Sequence, residues 1–381
     1  MPNYINVNTV NLNSNIFANN QTVVNVDLRN IAFTDNSMVN TFYNCQSLQS
    51  VIDIPNSVTN MHHTFRRCKN LVNAPAIPDS VIDMSGIFGD CTNLINIPYI
   101  SNSVTNLYSA FSYCYSLTDA PVIPNSVTNM NETFNNCHNL VNVPTIPNSI
   151  VTMTRTFQSC YNLVNVPDIP NSVTDMNGTF SGCNSLTTIP NIPNSVTDMD
   201  GTFRDCGGLI NVLALPNSVV NLRNTFRDCT NLVNAPVIPN SVTYMFLTFT
   251  NCSSLINVPE IPNSVTYMNR TFDGCSALAG DIIIRSNQIT YAHGCFNNTS
   301  VIKNVYIPFT YENGVNTQTY NSFISAGYDE NGTSCGVYLK DINPAPIVVD
   351  YEYTTLDSGK VDLTKYIGAG GAIVTPLEIE E

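Results

Sequence analysis

A cysteine recurs every 23 residues from Cys45 to Cys275, eleven times without an insertion. Phe42 to Phe272 and Leu48 to Leu278 keep the same step, so eleven units share the frame F-x2-C-x2-L. Between these anchors most units read close to L-V-N-V-P-x-I-P-N-S-V-T-N-M, as from Leu163 to Met176. One such unit cannot bury its apolar positions alone, and only stacked neighbours that share side-chain contacts and backbone hydrogen bonds complete a core. The period therefore dictates a solenoid.

No helix of ten or more residues fits between the prolines of a unit, and the apolar runs have strand length. Leu140–Val143 reads as one strand, Ser126–Met130 as a second, and Thr133–Cys137 as a tight helical turn. The P-x-I-P-N-S segment is the corner, where proline presets φ and the Asn side chain is expected to cap its own turn. The fold class that follows is a repeat solenoid, mainly β with short helical turns, in an array of about eleven 23-residue coils.

Composition narrows the function classes. With 56 Asn in 381 residues and only 11% charged residues, the polar surface is carried by amides and hydroxyls. A net charge of −14 with 14 Lys and Arg leaves no basic stripe for a phosphate backbone, which argues against nucleic acid. No window approaches ~18 consecutive apolar residues, so membrane insertion is not expected. Met1–Asn8 lacks the cationic start and apolar core of a secretion signal. The chain is accordingly expected to be soluble and made in the cytosol.

The C-x2-L…I-P-N-S-V-T…F-x2-C consensus resembles the BspA-like leucine-rich repeats, and its M-x3-F-x2-C part resembles a related bacterial surface-protein repeat. The resemblance spans about residues 38–290. Two features depart from the BspA-like consensus: an extra proline precedes the I-P pair, as at Pro75, Pro98 and Pro121, and Met stands four rather than five residues before Phe. The resemblance implies an interaction surface of extracellular or virion type and no shared catalytic residues.

The ends read differently. Residues 1–37 form an N-terminal cap, 38–290 the solenoid, 291–343 a C-terminal capping module and 344–381 a linker with a small β module or attachment arm. Register breaks after Leu278, since Cys295 follows Cys275 by 20 residues. Tyr320, Phe323, Ile324 and Tyr328 have helical spacing and should close the open end. The stretch Tyr351–Gly368 reads as a hairpin similar to the segment that often opens a BspA-like array. An orphaned module, a strand-exchange arm and an attachment point stay open as its role.

Candidate chemistry is sparse. The cysteine column is expected to be buried, reduced and unmetallated, because in-register side chains point in parallel and no C-x2-C pair exists. The four His do not recur with Cys at ligand spacing, so no metal and no cofactor is expected. Asp175 and Asp198 share a slot in adjacent coils, the spacing a retaining glycosidase pair needs, and Asp200 nearby suggests weak calcium binding. The same slot holds Asn60, Asn106, Asn129 and Asn221, which favours a solvated polar stripe over catalysis. Nucleophile triads, phosphate loops and dinucleotide fingerprints are lacking.

Positions the repeat does not fix are free for recognition. The turns beside Phe and Cys vary most, and the candidate binding residues are Tyr108, Tyr113, Tyr115, Arg66 and Arg67. His62, His63, Lys69, Tyr43, Tyr161, Arg204 and Arg227 extend that edge. Exposed Tyr among Asn and Arg suits a protein or a cell-surface glycan as partner. The functional expectation is a non-enzymatic recognition or structural protein: first a virion component of tail-fibre or receptor-binding type, assembled in the host cytoplasm beside other virion proteins. A bacterial cell-surface adhesin is the alternative and a polysaccharide-cleaving tailspike the second. A homo-oligomer fits the virion case.

Overall fold

A computed structural model describes residues 5–6, 11–97, 99–299, 301–310, 316–332, 337–342, 351–355 and 361–366. They fall into two compact units, Met1–Ile342 and Asn343–Glu381. In the second unit β9 (Tyr351–Thr355) pairs antiparallel with β10 (Val361–Tyr366).

The first unit is the solenoid. Among the described residues, regular strands occur only near its ends. Ile5–Asn6 (β1), Asn25–Asp27 (β3) and Ser50–Ile52 (β5) form a parallel sheet, with Asn11–Leu12 (β2) pairing Ala32–Phe33 (β4) beside it. At the other end Ala279–Ile283 (β6), Val301–Ile307 (β7) and Tyr338–Asp341 (β8) form a second parallel sheet.

Between β5 and β6 the extended segments meet their neighbours by isolated parallel bridges. One column runs from Ser37 through Asn60, Asp83 and Asn106 to Tyr267 and Tyr291, and a second passes through Asn142 and Asn165. The strands expected at Leu140–Val143 and Ser126–Met130 thus shrink to single bridges at Asn142 and Asn129. Prolines flanking the first segment remove ladder donors, and the turn after Met130 ends the second.

The expected helical turn is also different. The residue two after Met and the residue before Cys adopt left-handed backbone, as at Glu132 (φ 57°) and Asn136 (φ 60°). This conformation divides the amide groups between two directions. Thr133 and Cys137 donate to the carbonyls three residues back, Met130 and Phe134, while Glu132, Phe134 and Asn136 donate to the next coil. Backbone donors in the bend are thereby paired without a helix.

Side chains knit the coils through four columns. Phenylalanine rings stack nearly parallel, 5.2–5.9 Å apart with interplanar angles of 1–14°. Each such offset pair adds about 0.5–1.5 kcal/mol beyond burial. Cys68 Sγ donates to the Phe42 carbonyl at 3.0 Å, and the same bond repeats to Cys275 on Phe249. Thr133 Oγ1 bonds the Leu107 carbonyl (2.9 Å), and Ser126 Oγ bonds that of Val104 (2.6 Å). The corner is held by this Ser hydroxyl and by Val127 N–H on the Pro124 carbonyl, at 3.1 Å, not by Asn125.

The ring column extends the frame of about eleven coils at both ends. It begins at Phe17 and ends at Phe296, one ring beyond the eleven-unit frame on each side. Spacings of 25 residues to Phe42 and 24 from Phe272 hide these end coils from a strict period. The cysteine slot holds Asn20 in the first and Thr299 in the last, and Cys295 stands where most other coils have Thr, immediately before Phe. Thr299 Oγ1 bonds the carbonyl of Phe296 at 2.6 Å.

Helix α1 (Gln318–Ser325) caps the last coil, its N-terminus held by Thr317 Oγ1 accepting from Tyr320 N–H at 3.0 Å. Phe323 is buried, Ile324 is exposed, and Tyr328, just beyond the helix, is buried with its hydroxyl accepting the Phe296 N–H at 2.9 Å.

Candidate recognition surface

The bridge column explains the acidic pair. In most coils the residue before Met is Asn or Asp, whose Oδ1 accepts the N–H two residues on: Asn60 from His62 (2.9 Å), Asp83 from Ser85 (2.9 Å), Asp175 from Asn177 (2.8 Å), Asp198 from Asp200 (2.8 Å), Asn221 from Arg223 (2.9 Å). Asp and Asn are equivalent as acceptors here, so the slot is a turn device rather than a merely solvated stripe. Asp198 also accepts both of its contacts with Asn221 Nδ2, at 3.1 and 3.2 Å, and Asp175 accepts from Thr154 Oγ1 at 3.3 Å. Asp200 is pushed up by burial, an effect opposed by Asn224 and Arg223. Among the described residues no group of three or more His, Cys, Asp and Glu has metal-binding geometry.

Cys45 through Cys275 are all buried and carry free thiols. Burial raises their pKa, to about 12 at Cys206 and Cys275 and about 11 at Cys45. A thiol that donates to a carbonyl and resists ionisation is a packing group, not a nucleophile.

The candidate binding residues lie on one varied edge but in different columns. Tyr113 and Tyr115 flank buried Cys114, 39% and 37% exposed, with ring centroids 6.3 Å apart edge to face. Tyr115 continues into a stack with His138 and then Tyr161, each step 4.5 Å. Tyr108, 42% exposed, stands in another column, its N–H held by Asn106. Arg66 and Arg67 both reach Asp90, at 3.3 and 3.8 Å. Arg67 also lies over the ring of Tyr43 at 5.7 Å, and Arg66 contacts His63 Nε2 at 3.2 Å. His63 is lowered to about 4 by burial, then by His62 and Arg66. The two arginines are thus partly neutralised, and Arg67 occupies the slot that Tyr113 fills two coils on.

Two features escape a reading that attends only to the turns. Tyr244, Tyr267 and Tyr291 replace the turn-forming Asn or Asp in the last three coils, the first pair stacked at 4.5 Å and the second tilted by 43° at 4.8 Å. At Tyr291 the bond is replaced: His293 N–H bonds Asn269 Oδ1 of the preceding coil at 2.8 Å, as Thr154 N–H bonds Asn131 where Thr152 fills the slot. Three consecutive tyrosines in an Asn slot were the available signal. The second feature is a line of exposed Val72, Ile95, Val164, Ile210 and Ile256, one residue after the buried Leu of each coil. Strict alternation from that Leu marks it.

Tyr291 leads into a groove of about 230 Å³ between the last coil and α1, lined also by Asn269, His293, Gln318, Asn321 and Ser325. Among the described residues no helix is long and apolar enough to cross a membrane.

Comparison with known proteins gives the lineage. The chain is similar to several solved leucine-rich repeat proteins: one from Bacteroides ovatus is 20% identical with a TM-score of 0.47, covering 84% of this chain and 88% of its own. A leucine-rich cell surface protein from Faecalibacterium prausnitzii is 22% identical with a TM-score of 0.40, covering 74% and 87%. One from Eubacterium ventriosum is 18% identical with a TM-score of 0.47, covering 82% and 86%. No curated protein sequence matches the chain. The model of the BspA-type leucine-rich repeat region matches at residues 3–118, 35–163, 108–233, 152–279 and 200–324. Matched along almost the whole solenoid, this chain belongs to the BspA-type leucine-rich repeat family.

Proposed function

We propose that this chain is a non-enzymatic recognition protein of a bacterial cell surface, an adhesin that binds a protein or glycan along its varied turn edge. The observation that carries this is a contrast within each coil. Columns of Phe, Cys, Thr and Ser are spent on holding neighbours together, while the positions around Cys change from coil to coil and expose Tyr108, Tyr113, Tyr115 and Tyr161. Tyrosine gives amphipathic contact area at small entropic cost. Asp175 and Asp198 serve as turn acceptors, which supports the absence of catalysis and speaks against a polysaccharide-cleaving tailspike. No observation favours the tail-fibre reading over the adhesin, and one of the similar solved proteins is a cell-surface protein, so the adhesin stands first.

In this reading residues 1–37 and 291–343 shield the array's ends, 38–290 carry the surface, and 344–381 serve as linker and attachment arm. The test is binding of the labelled full chain to bacterial and host cell surfaces. Replacing Tyr113 and Tyr115 together with Ala should weaken the binding about thirtyfold, the scale of a ~2 kcal/mol hot spot, without moving the thermal transition. Undiminished binding by that double variant would remove the turn edge as the working surface.

A further inference from the structure

The groove beside Tyr291 has the chemistry of a small-ligand site. Tyr267 packs on Tyr291 at 4.8 Å, so Tyr291 ends the ladder, and it is 52% exposed where it lines the groove. The opposite wall is α1, which is fixed to the coil by side chains that do not enter solvent. Buried Ser322 Oγ donates to the Ile289 and Thr290 carbonyls at 2.7 and 3.0 Å. Buried Thr319 Oγ1 donates to the Ser286 carbonyl at 2.7 Å and accepts the Ile289 N–H at 3.0 Å. Ring and wall are therefore preorganised relative to one another.

The lining holds no Asp, Glu, Lys or Arg. An ammonium ligand would find no counter-charge, and a carboxylate or phosphate would find only the imidazole of His293, against a chain charge of −14 that disfavours anions. What the groove offers is one aromatic ring and a set of amide and hydroxyl groups that both donate and accept, Asn321, Gln318 and Ser325 among them. A volume of about 230 Å³ lies below the roughly 300–1,000 Å³ of drug-sized pockets, so it accepts a single ring rather than a chain. A neutral hexose has the complementary form, with an apolar C–H face and a rim of hydroxyls. In the slot where most coils carry Asn or Asp this coil carries Tyr, with Asn269 of the preceding coil accepting the His293 N–H.

We propose that this groove binds a neutral hexose at the end of a glycan, Tyr291 serving as the platform for its C–H face and Asn321, Gln318 and Ser325 as partners for its hydroxyls. The proposal goes beyond the turn edge to a second site, and rests on the recognition reading above only for its class of ligand. The full chain is tested by saturation-transfer NMR and titration with methyl β-galactoside, methyl β-glucoside and methyl α-mannoside. At least one should bind, with transfer concentrated on the hydrogens of one ring face. Tyr291→Ala should weaken it at least ~10-fold, about 1.4 kcal/mol, whereas Tyr291→Phe keeps the platform and most of the affinity. Asn321→Ala, a change at an exposed position, should weaken it with the fold intact. Binding by none of the hexosides, or equal binding by Tyr291→Ala, overturns the site. Because this titration uses no cells, its failure removes the groove alone, while a chain that labels no cell surface removes the recognition reading.

Discussion

Asp198 and Asn221 occupy one slot in neighbouring coils and perform one task, taking the N–H of the residue two ahead at 2.8 and 2.9 Å. A formal charge is incidental to that task. Asp198→Asn should therefore leave the urea midpoint within about 0.5 kcal/mol of the parent, a range typical of surface changes that break no special contact. Asp198→Ala leaves the Asp200 N–H without its acceptor and should cost about 1 kcal/mol. Equal losses for both variants would mean that charge, not the turn bond, is what the slot supplies. The cysteines follow the same logic, each a small apolar group whose S–H finds a carbonyl in the preceding coil.

At the level of the element, a solenoid's difficulty is its last coil, whose outward N–H groups have no successor. Within the array Phe272 N–H bonds the Cys295 carbonyl at 2.9 Å, but Phe296 has no next coil and bonds the Tyr328 hydroxyl instead. Tyr328→Phe keeps the buried ring and deletes that acceptor, leaving a buried N–H unpaired at about 1–3 kcal/mol. Nearest-neighbour coupling confines the damage. Amide exchange should quicken across the coil of Phe296 and β7 while protection at Phe134 and Phe157 is unchanged. A uniform loss of protection from end to end would refute the local cap.

For the molecule as a whole, the buried thiol column sets a pH limit. Folding raises each thiol's pKa above its ordinary value of 9.0, for instance to about 12 at Cys206. Below the unfolded pKa both states are protonated and stability does not depend on these groups. As pH rises past it, the unfolded chain releases protons that the folded chain keeps, so the unfolded state gains and stability falls until the folded pKa is reached. Each thiol contributes up to about 1.4 kcal/mol per pH unit in that window. With twelve buried free cysteines described, the urea midpoint should hold steady to about pH 8 and drop steeply between about pH 9 and 11. Removing two thiols as Cys137→Ala and Cys160→Ala should flatten the slope, and identical midpoints at pH 8 and 10.5 would contradict the account.

By itself the sequence determined the solenoid, its step and its buried columns, because a 23-residue period with invariant Phe, Cys and Leu has no other way to bury them. It also placed Phe323 in a closing helix, since helical spacing is a local property. Regular strands could not be distinguished from single bridges in advance, as that depends on how far two neighbouring extended segments stay parallel before a proline or turn intervenes. The end coils were hidden by insertions that shift register in the chain but not in space, where Phe17 and Phe296 still stack. Only the tertiary structure decided what the polar slots are for. The slot of Tyr291 can hold a ring because Asn269 of the preceding coil accepts the His293 N–H, and the groove beside Tyr291 exists because α1 folds back over that coil. Those are contacts between residues brought together by stacking and capping, and no pattern read within one repeat contains them.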